Sequence, residues 1–180
     1  MSDFGKTYQV RVTHLVSGNK CWGNIKIEDK LAPALSCENF TVPCNTPDLS
    51  PSYLQNVLGL PGFPAWTDCQ NVTLTWTDTE VDKDCASGLS KVISRKWTAT
   101  DASGNSTTCI QTISLRRPGV DDMKLPPNYD GFQAPGFTCG IAYPTPAWIE
   151  SQGLQGYPWV FGRPEGCNIN WSFHDVLLEV

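Results

Sequence analysis

Two histidines, a scatter of paired carboxylates, eight cysteines and seven tryptophans are the residues of this 180-residue chain with chemistry to offer. His14 and His174 stand at opposite ends in strand-like surroundings, and no Gly-x-Ser-x-Gly nucleophile turn accompanies either. The cysteines lie beside strand patterns and read as structural, not as thiolates poised next to a base. Acids gather at Asp78, Glu80, Asp82 and Asp84, at Glu28-Asp29 and at Asp121-Asp122. Paired acids hydrolyse glycosides only when held across a cleft, and the first group reads as a hairpin tip, which offers none. The expectation is that the chain is not an enzyme. Acidic joints between β-modules suit a hard cation better, so Ca²⁺ bound by Glu28, Asp29 and Asp101 is the metal expectation, set against a plainly solvated acidic face.

The tryptophans divide into two sets. Trp76 and Trp97 fall on alternating strand patterns and are expected in the core. Trp66, Trp148 and Trp159 lie with Phe63, Tyr53 and Tyr157 in two stretches rich in Pro, Gly and aromatics, residues 45–68 and 140–166. Flat exposed rings stack on sugars, while buried ones cap a sandwich or seal a contact with a neighbouring module or chain. Both roles stay open at this point.

Period-two alternation dominates the rest of the chain. Tyr8–Thr13, Gly23–Ile27, Val72–Trp76 and Val92–Ala99 each alternate, are rich in β-branched or aromatic residues and are bounded by turn formers. Ser17-Gly18-Asn19, Ser87-Gly88 and Asp101–Asn105 supply the turns. One short helical turn is expected around Ser52–Leu58.

These elements recur. Ser17-Gly18-Asn19 with Cys21 returns as Ser103-Gly104-Asn105 with Cys109, and Ala32–Cys37 as Ala134–Cys139. Gly59–Pro64 returns as Gly153–Pro158, and Cys69 leading into Trp76 as Cys167 leading into Trp171. The spacing, roughly 90 to 100 residues, is that of one small domain. The division expected is residues 1–27 closing one module, 28–117 forming a complete one, and 118–180 a linker and the first half of a third. Joints are expected at Glu28-Asp29-Lys30 and around 116–127.

A net charge of −5 with no basic run gives nucleic acid nothing to hold. No apolar stretch approaches the ~20 residues of a spanning helix, so membrane insertion is not expected. No signal peptide is visible at Met1, yet eight cysteines without a CxxC pair suit an oxidising compartment. The expectation that reconciles these is a piece of a longer, exported polypeptide.

The run Arg95–Cys109 ending in Gln111-Thr112-Ile113, the opening Ile27–Pro33 followed by Cys37 and Cys44, and Asn71–Asp78 together resemble hyalin-repeat-type modules. These are immunoglobulin-like units found in tandem in very large surface proteins of Bacteroidetes bacteria. The resemblance covers residues 1–117, and reaches 128–180 through the internal repeat. It implies an all-β chain of tandem immunoglobulin-like β-sandwich modules stapled by disulfides, with Cys37 bridged to Cys109. Many bacterial members carry cysteine where this chain has Ser103.

Cys69 and Cys85 flank the hairpin-like segment Val72–Asp84 and could pair across its open end, which leaves Cys44 and Cys167 without an evident mate. By the same logic Cys21 and Cys139 look to cysteines beyond the two ends. The function implied is a structural or adhesive segment of an extracellular, bacterial cell-surface protein or filament. Its partners would be neighbouring modules, copies of itself, or surface glycans. The alternative is a carbohydrate-binding accessory module of a secreted polysaccharide-degrading enzyme.

Overall fold

The computed structural model describes residues 3–137, 144–164 and 166–174. Among the described residues the regular structure is mostly strand, with two α-helices of six residues each. In order these are β1 (Thr7–Thr13), β2 (Lys20–Lys26), β3 (Ala34–Ser36), β4 (Phe40–Pro43), α1 (Pro51–Asn56), β5 (Ala65–Thr67), β6 (Val72–Asp82), β7 (Leu89–Asp101), β8 (Ser106–Arg116), β9 (Met123–Lys124), α2 (Pro146–Ser151) and β10 (Trp159–Val160). They form a four-stranded sheet in the order β4-β8-β7-β6 and three two-stranded sheets, β1-β2, β3-β5 and β9-β10. The chain divides into two compact units. One comprises residues 1–39, 50–79 and 94–112, the other 40–49, 80–93 and 113–180, and β6, β7 and β8 contribute residues to both.

In the first unit, alternation along β7 and β8 sends Arg95, Trp97, Ala99 and Gln111 to one buried face. Trp97 carries the largest fully buried side chain. Phe63 and Trp76 pack tilted against its ring, with centroids 5.7 and 5.3 Å away. Gln111 is wholly buried beside it, and every polar atom of its amide is used. Oε1 accepts from Trp97 Nε1 at 3.2 Å, while Nε2 donates to the carbonyls of Glu38 (3.0 Å) and Pro61 (2.7 Å). Cys37 and Cys109 are joined by a disulfide with a Cα–Cα distance of 5.9 Å. Trp76, expected in the core, is 46% exposed. It stands on β6 outside the buried row, and one side of its ring covers Trp97 while the Arg95 guanidinium lies 6.0 Å from its centroid.

Six-residue helices are too short to be stable alone, so α1 and α2 rest on local fixtures, and the two share them. Ser50 and Thr145 cap the N-termini by accepting from Tyr53 N and Trp148 N. A proline opens each helix, where its missing N–H costs nothing. Leu54 and Ile149 are the buried anchors, and their carbonyls accept from Leu60 N and Leu154 N. Beyond them, Gly62 and Gly156 pass so close to the carbonyls of Pro51 and Pro146 that a Cβ at either position would collide. The Gly59–Pro64 and Gly153–Pro158 recurrence is thus one helix-and-loop motif built twice, each copy leading into a strand, β5 or β10. The Ser17-Gly18-Asn19 and Ser103-Gly104-Asn105 recurrence marks two hairpin turns of different length. His14 N donates to Asn19 O across four intervening residues and Asp101 N to Asn105 O across three, with Gly18 and Gly104 at positive φ. In the third recurrence no strand stands at 136–137 in the place of β3, and Thr138 and Cys139 lie outside the described residues.

The main sheet holds a strand that no alternation announces: β4 pairs parallel to β8, Phe40 opposite Ile113. Residues 72–82 form one continuous strand, not a hairpin with an acidic tip. At about 3.3 Å per residue that strand is some 35 Å long. Its acids stand on alternate residues and meet bases of β7: Asp78 pairs with Arg95 through two bonds of 2.8 Å, and Glu80 and Asp82 pair with Lys91. Arg95 is buried, so its pair with Asp78 replaces lost hydration.

In the second unit, Ile113, Leu115, Val42, Ile149 and Val160 are buried. Cys44 and Cys167 are joined, with a Cα–Cα distance of 5.2 Å. In the chain-entropy treatment, closures spanning 72 and 123 residues each stabilise by roughly 4–5 kcal/mol. Asn45 Nδ2 donates to Val160 O at 2.8 Å, and Gly166 leaves room for the Asn45 side chain.

Replacing Gln111 with Ala removes three hydrogen bonds worth about 1 kcal/mol each and strands the buried Trp97 indole N–H at a further cost of about 1–3 kcal/mol. Chemical denaturation of Gln111→Ala is expected to show a loss of at least about 3 kcal/mol. A loss below 1 kcal/mol would mean the amide network is not a structural hub.

Candidate functional site

The structure brings chemistry-bearing residues together in three places: two joints, each organised by an aspartate, and the clefts beside the aromatic loops.

The first joint lies in the first unit, where β2 gives way to β3. Asp29 is buried. Its Oδ1 accepts from Leu31 N at 3.0 Å, and its Oδ2 from Gln70 Nε2 at 2.6 Å and from the Cys69 thiol at 3.2 Å. Gln70 Nε2 also donates to Ser103 Oγ at 2.7 Å. Asp101, likewise buried, accepts from the backbone N–H groups of Ser103 and Asn105 and from Asn105 Nδ2, which also donates to the Asp29 carbonyl. The joint is therefore a closed ring of hydrogen bonds linking Asp29, Gln70 and the Asp101–Asn105 turn. Ser103, where cysteine stands in many of the modules this chain resembles, serves it as an acceptor.

These donors hold the Asp29 carboxyl below its ordinary value, Gln70 contributing most, then Leu31 N and Cys69. The same contact raises the Cys69 thiol, because ionising it would set a second negative charge beside Asp29. Glu28 turns outward to Lys26 (2.7 Å) and Lys30 (2.8 Å), which pull it down to about 2. The expected calcium ligands Glu28, Asp29 and Asp101 are thus not gathered around one point. A cation there would have to displace N–H donors from both aspartates. Among the described residues, the group of His, Cys, Asp and Glu whose ligand atoms do converge, within 4.8 Å, is Asp29, Asp68 and Cys69.

The second joint lies in the second unit. Asp122 receives a two-pronged bond from Arg116, at 2.6 and 2.9 Å, and a third from Gly119 N at 2.8 Å. Together these depress its carboxyl to about 2, Arg116 being the larger cause. The other face of the Arg116 guanidinium lies over the Phe161 ring, 4.6 Å from its centroid. Bidentate geometry and ring stacking are both properties of arginine that lysine lacks.

The expected aromatic contact residues separate by unit. In the first, Phe63 and Trp66, both partly exposed, line a cleft of about 480 Å³ with Ser36, Glu38, Gln55 and Leu74. Tyr53 sits on α1, half-buried and outside that lining. In the second, Trp159 and Tyr129 line a cleft of about 400 Å³ with Lys124, Gln133 and Gln155. Trp148 packs edge-on against Phe137, which stacks on Tyr129 at 4.9 Å, and Tyr157 lies outside the cleft. Tyr129, Glu38 and Gln55 were not singled out from the sequence, since nothing in their immediate neighbours marks them. Of the histidines, His14 Nδ1 lies 2.6 Å from Ser17 Oγ and accepts from Ser17 N, closing the hairpin turn, and His174 is exposed.

Cys69 and Cys85 are both free and exposed, correcting the expected pair; they stand at opposite ends of the extended β6. Cys44 and Cys167, left without mates in the sequence reading, are bonded to one another. Cys21 is free and exposed, and Cys139 with its expected outside partner lies outside the described residues.

No family model, curated protein or solved structure matches this chain.

Two measurements probe the joints. Because its thiol is raised, Cys69 should be alkylated by iodoacetamide at pH 8 more slowly than an ordinary cysteine, and Asp29→Asn should accelerate it several-fold; equal rates in both proteins would refute the contact. Asp122 is depressed from 3.8 to about 2, so the stability it lends is complete above the ordinary carboxylate range and drains away as pH falls toward 2. Acid unfolding of Asp122→Asn should therefore lose part of its pH dependence across that window, and an unchanged profile would count against the pair.

Proposed function

We propose that this chain is a non-catalytic, disulfide-stapled segment of an extracellular attachment protein, built from immunoglobulin-like sandwich modules in tandem. The observation that carries this reading is the duplicated construction: the proline-opened helix and the loop whose glycine closes on it occur twice. Duplication of whole modules extends reach and multiplies contact surface, which serves attachment more than turnover. Two disulfides add support, since such bonds persist in oxidising compartments. No described helix is long and apolar enough to cross a membrane. Beads coated with the full chain are expected to adhere to host-cell or polysaccharide-coated surfaces under flow. Release at the same force as uncoated beads would remove the reading.

One observation favours a second reading, a carbohydrate-binding accessory module. Phe63 and Trp66 are partly exposed at the mouth of a cleft that also presents Glu38 and Gln55, whose side chains bond no other group among the described residues. Rings with nearby hydrogen-bonding groups are suited to the two faces of a pyranose. Under it, titration with neutral oligosaccharides should quench tryptophan fluorescence, and Trp66→Ala should weaken binding at least tenfold. Binding unaffected by Trp66→Ala would exclude this cleft.

A further inference from the structure

Strands β9 and β10 pair so that Trp159 stands directly opposite Lys124. Directly opposed residues of antiparallel strands project to the same side, about 4.5–5.5 Å apart at Cβ. Both line the cleft of about 400 Å³ in the second unit, together with Tyr129, Gln133 and Gln155. That volume lies within the ~300–1,000 Å³ usual for small-ligand sites. The cleft belongs to the duplicated loop: Gln155 is the counterpart of Pro61, and Pro61 lines the Phe63–Trp66 cleft. Each copy of the loop thus borders a cleft, and the two differ in charge. Among the residues lining them, the first has Glu38 and no base, the second Lys124 and no acid.

The second cleft leaves mostly donors unpaired. The Trp159 indole N–H is buried with no partner among the described residues, and a buried donor without an acceptor is costly. Lys124 pairs with no acid among the described residues. Asp122 is taken by Arg116 and Gly119 N, and Asp130 by Phe132 N and Gln133 N. Gln133 uses its amide oxygen on Asn128 N and keeps its NH₂ free. Gln155 uses its NH₂ on the carbonyls of Lys124 and Tyr157 and keeps its oxygen. We propose that this cleft binds a uronate, a sugar whose ring bears a carboxylate. The carboxylate sits against the Lys124 ammonium and supplies the acceptor that the Trp159 N–H lacks. Ring hydroxyls bond the Gln133 NH₂ and the Gln155 oxygen, and the apolar sugar face rests on the aromatic rings. This goes beyond the attachment reading, and it does not rest on neutral sugars at Phe63 and Trp66. The two clefts answer to different ligands and different substitutions, so either can fail alone.

Calorimetric titration of the full chain tests it, with trimers of galacturonate, glucuronate and mannuronate beside the neutral trimers of galactose, glucose and mannose. At least one uronate is expected to bind roughly tenfold or more tighter than its neutral counterpart, and more weakly as salt rises. Lys124→Gln should abolish that preference. Trp159→Phe keeps a ring and deletes the N–H, so it should weaken uronate binding several-fold without lowering the melting temperature. Trp66→Ala, in the other cleft, should leave uronate binding unchanged. Three results would each overturn the proposal: no binding of any uronate, equal affinity for charged and neutral trimers, or affinity indifferent to Lys124→Gln or to Trp159→Phe. So would acetate displacing the bound trimer at equal concentration, since the cleft would then recognise a carboxylate and not a sugar.

Discussion

A single buried amide holds the first unit together. Gln111 sits where no water reaches, and an amide in that position must find a partner for each polar atom or cost several kcal/mol. It finds them in the Trp97 indole and in two carbonyls, of Glu38 and Pro61, from segments far apart in sequence. Those bonds tie the strand pair β7–β8 to the chain following β3 and to the loop following α1. The Cys37–Cys109 bridge adds a covalent link nearby, two residues from Gln111 along β8. With the amide placed, Trp97 has a fixed orientation, and Phe63 and Trp76 pack against it. The Phe63–Trp66 cleft therefore inherits its shape from a hydrogen-bond requirement beneath it.

Each joint rests on a carboxylate kept ionised by its donors. Asp29 is embedded among N–H groups and a thiol, and Asp122 is gripped by one arginine and one backbone N–H. A cation would supply rigidity by drawing several carboxylates together; here single carboxylates draw several donors to themselves. The physical difference matters, because rigidity of this kind weakens as the acid is protonated. Charge on β6 follows the same economy. Its alternate acids meet Arg95 and Lys91 across the strand pair, and are spent on cross-strand pairing.

Much of the architecture was legible in the residues. Alternation located β1, β2, β6 and β7, the Ser-Gly-Asn turns marked two hairpins, and the Gly-Leu-x-Gly runs marked the duplicated loop. What escaped was whatever depends on distance along an element. Val72–Asp84 looked like a hairpin because acids resemble turn formers, yet acids on alternate residues of a strand are neutralised by a partner strand that only the fold supplies. With the hairpin gone, Cys69 and Cys85 are held apart by the length of a strand. Strand β4 was missed because its four residues owe their conformation to pairing with β8 and not to their own propensity. Of the six aromatics marked as contact residues, three line clefts: Phe63, Trp66 and Trp159.

By itself, the sequence determined the β-rich character, the positions of the turns, and the recurrence of the Gly-Leu-x-Gly loop. These follow from short-range sterics: glycine's access to positive φ, proline's fixed φ, and the two-residue period of a strand. Only the tertiary structure decided which cysteines meet, which carboxylates find bases, and which apolar faces are covered. Each of those is a long-range pairing, set by how the segments pack and not by what stands next to each residue in the chain. The inward row of β7–β8 is buried although it includes Arg95 and Gln111, while the more apolar row of β1–β2 is bare, so what packs on a strand and not its alternation decides the outcome.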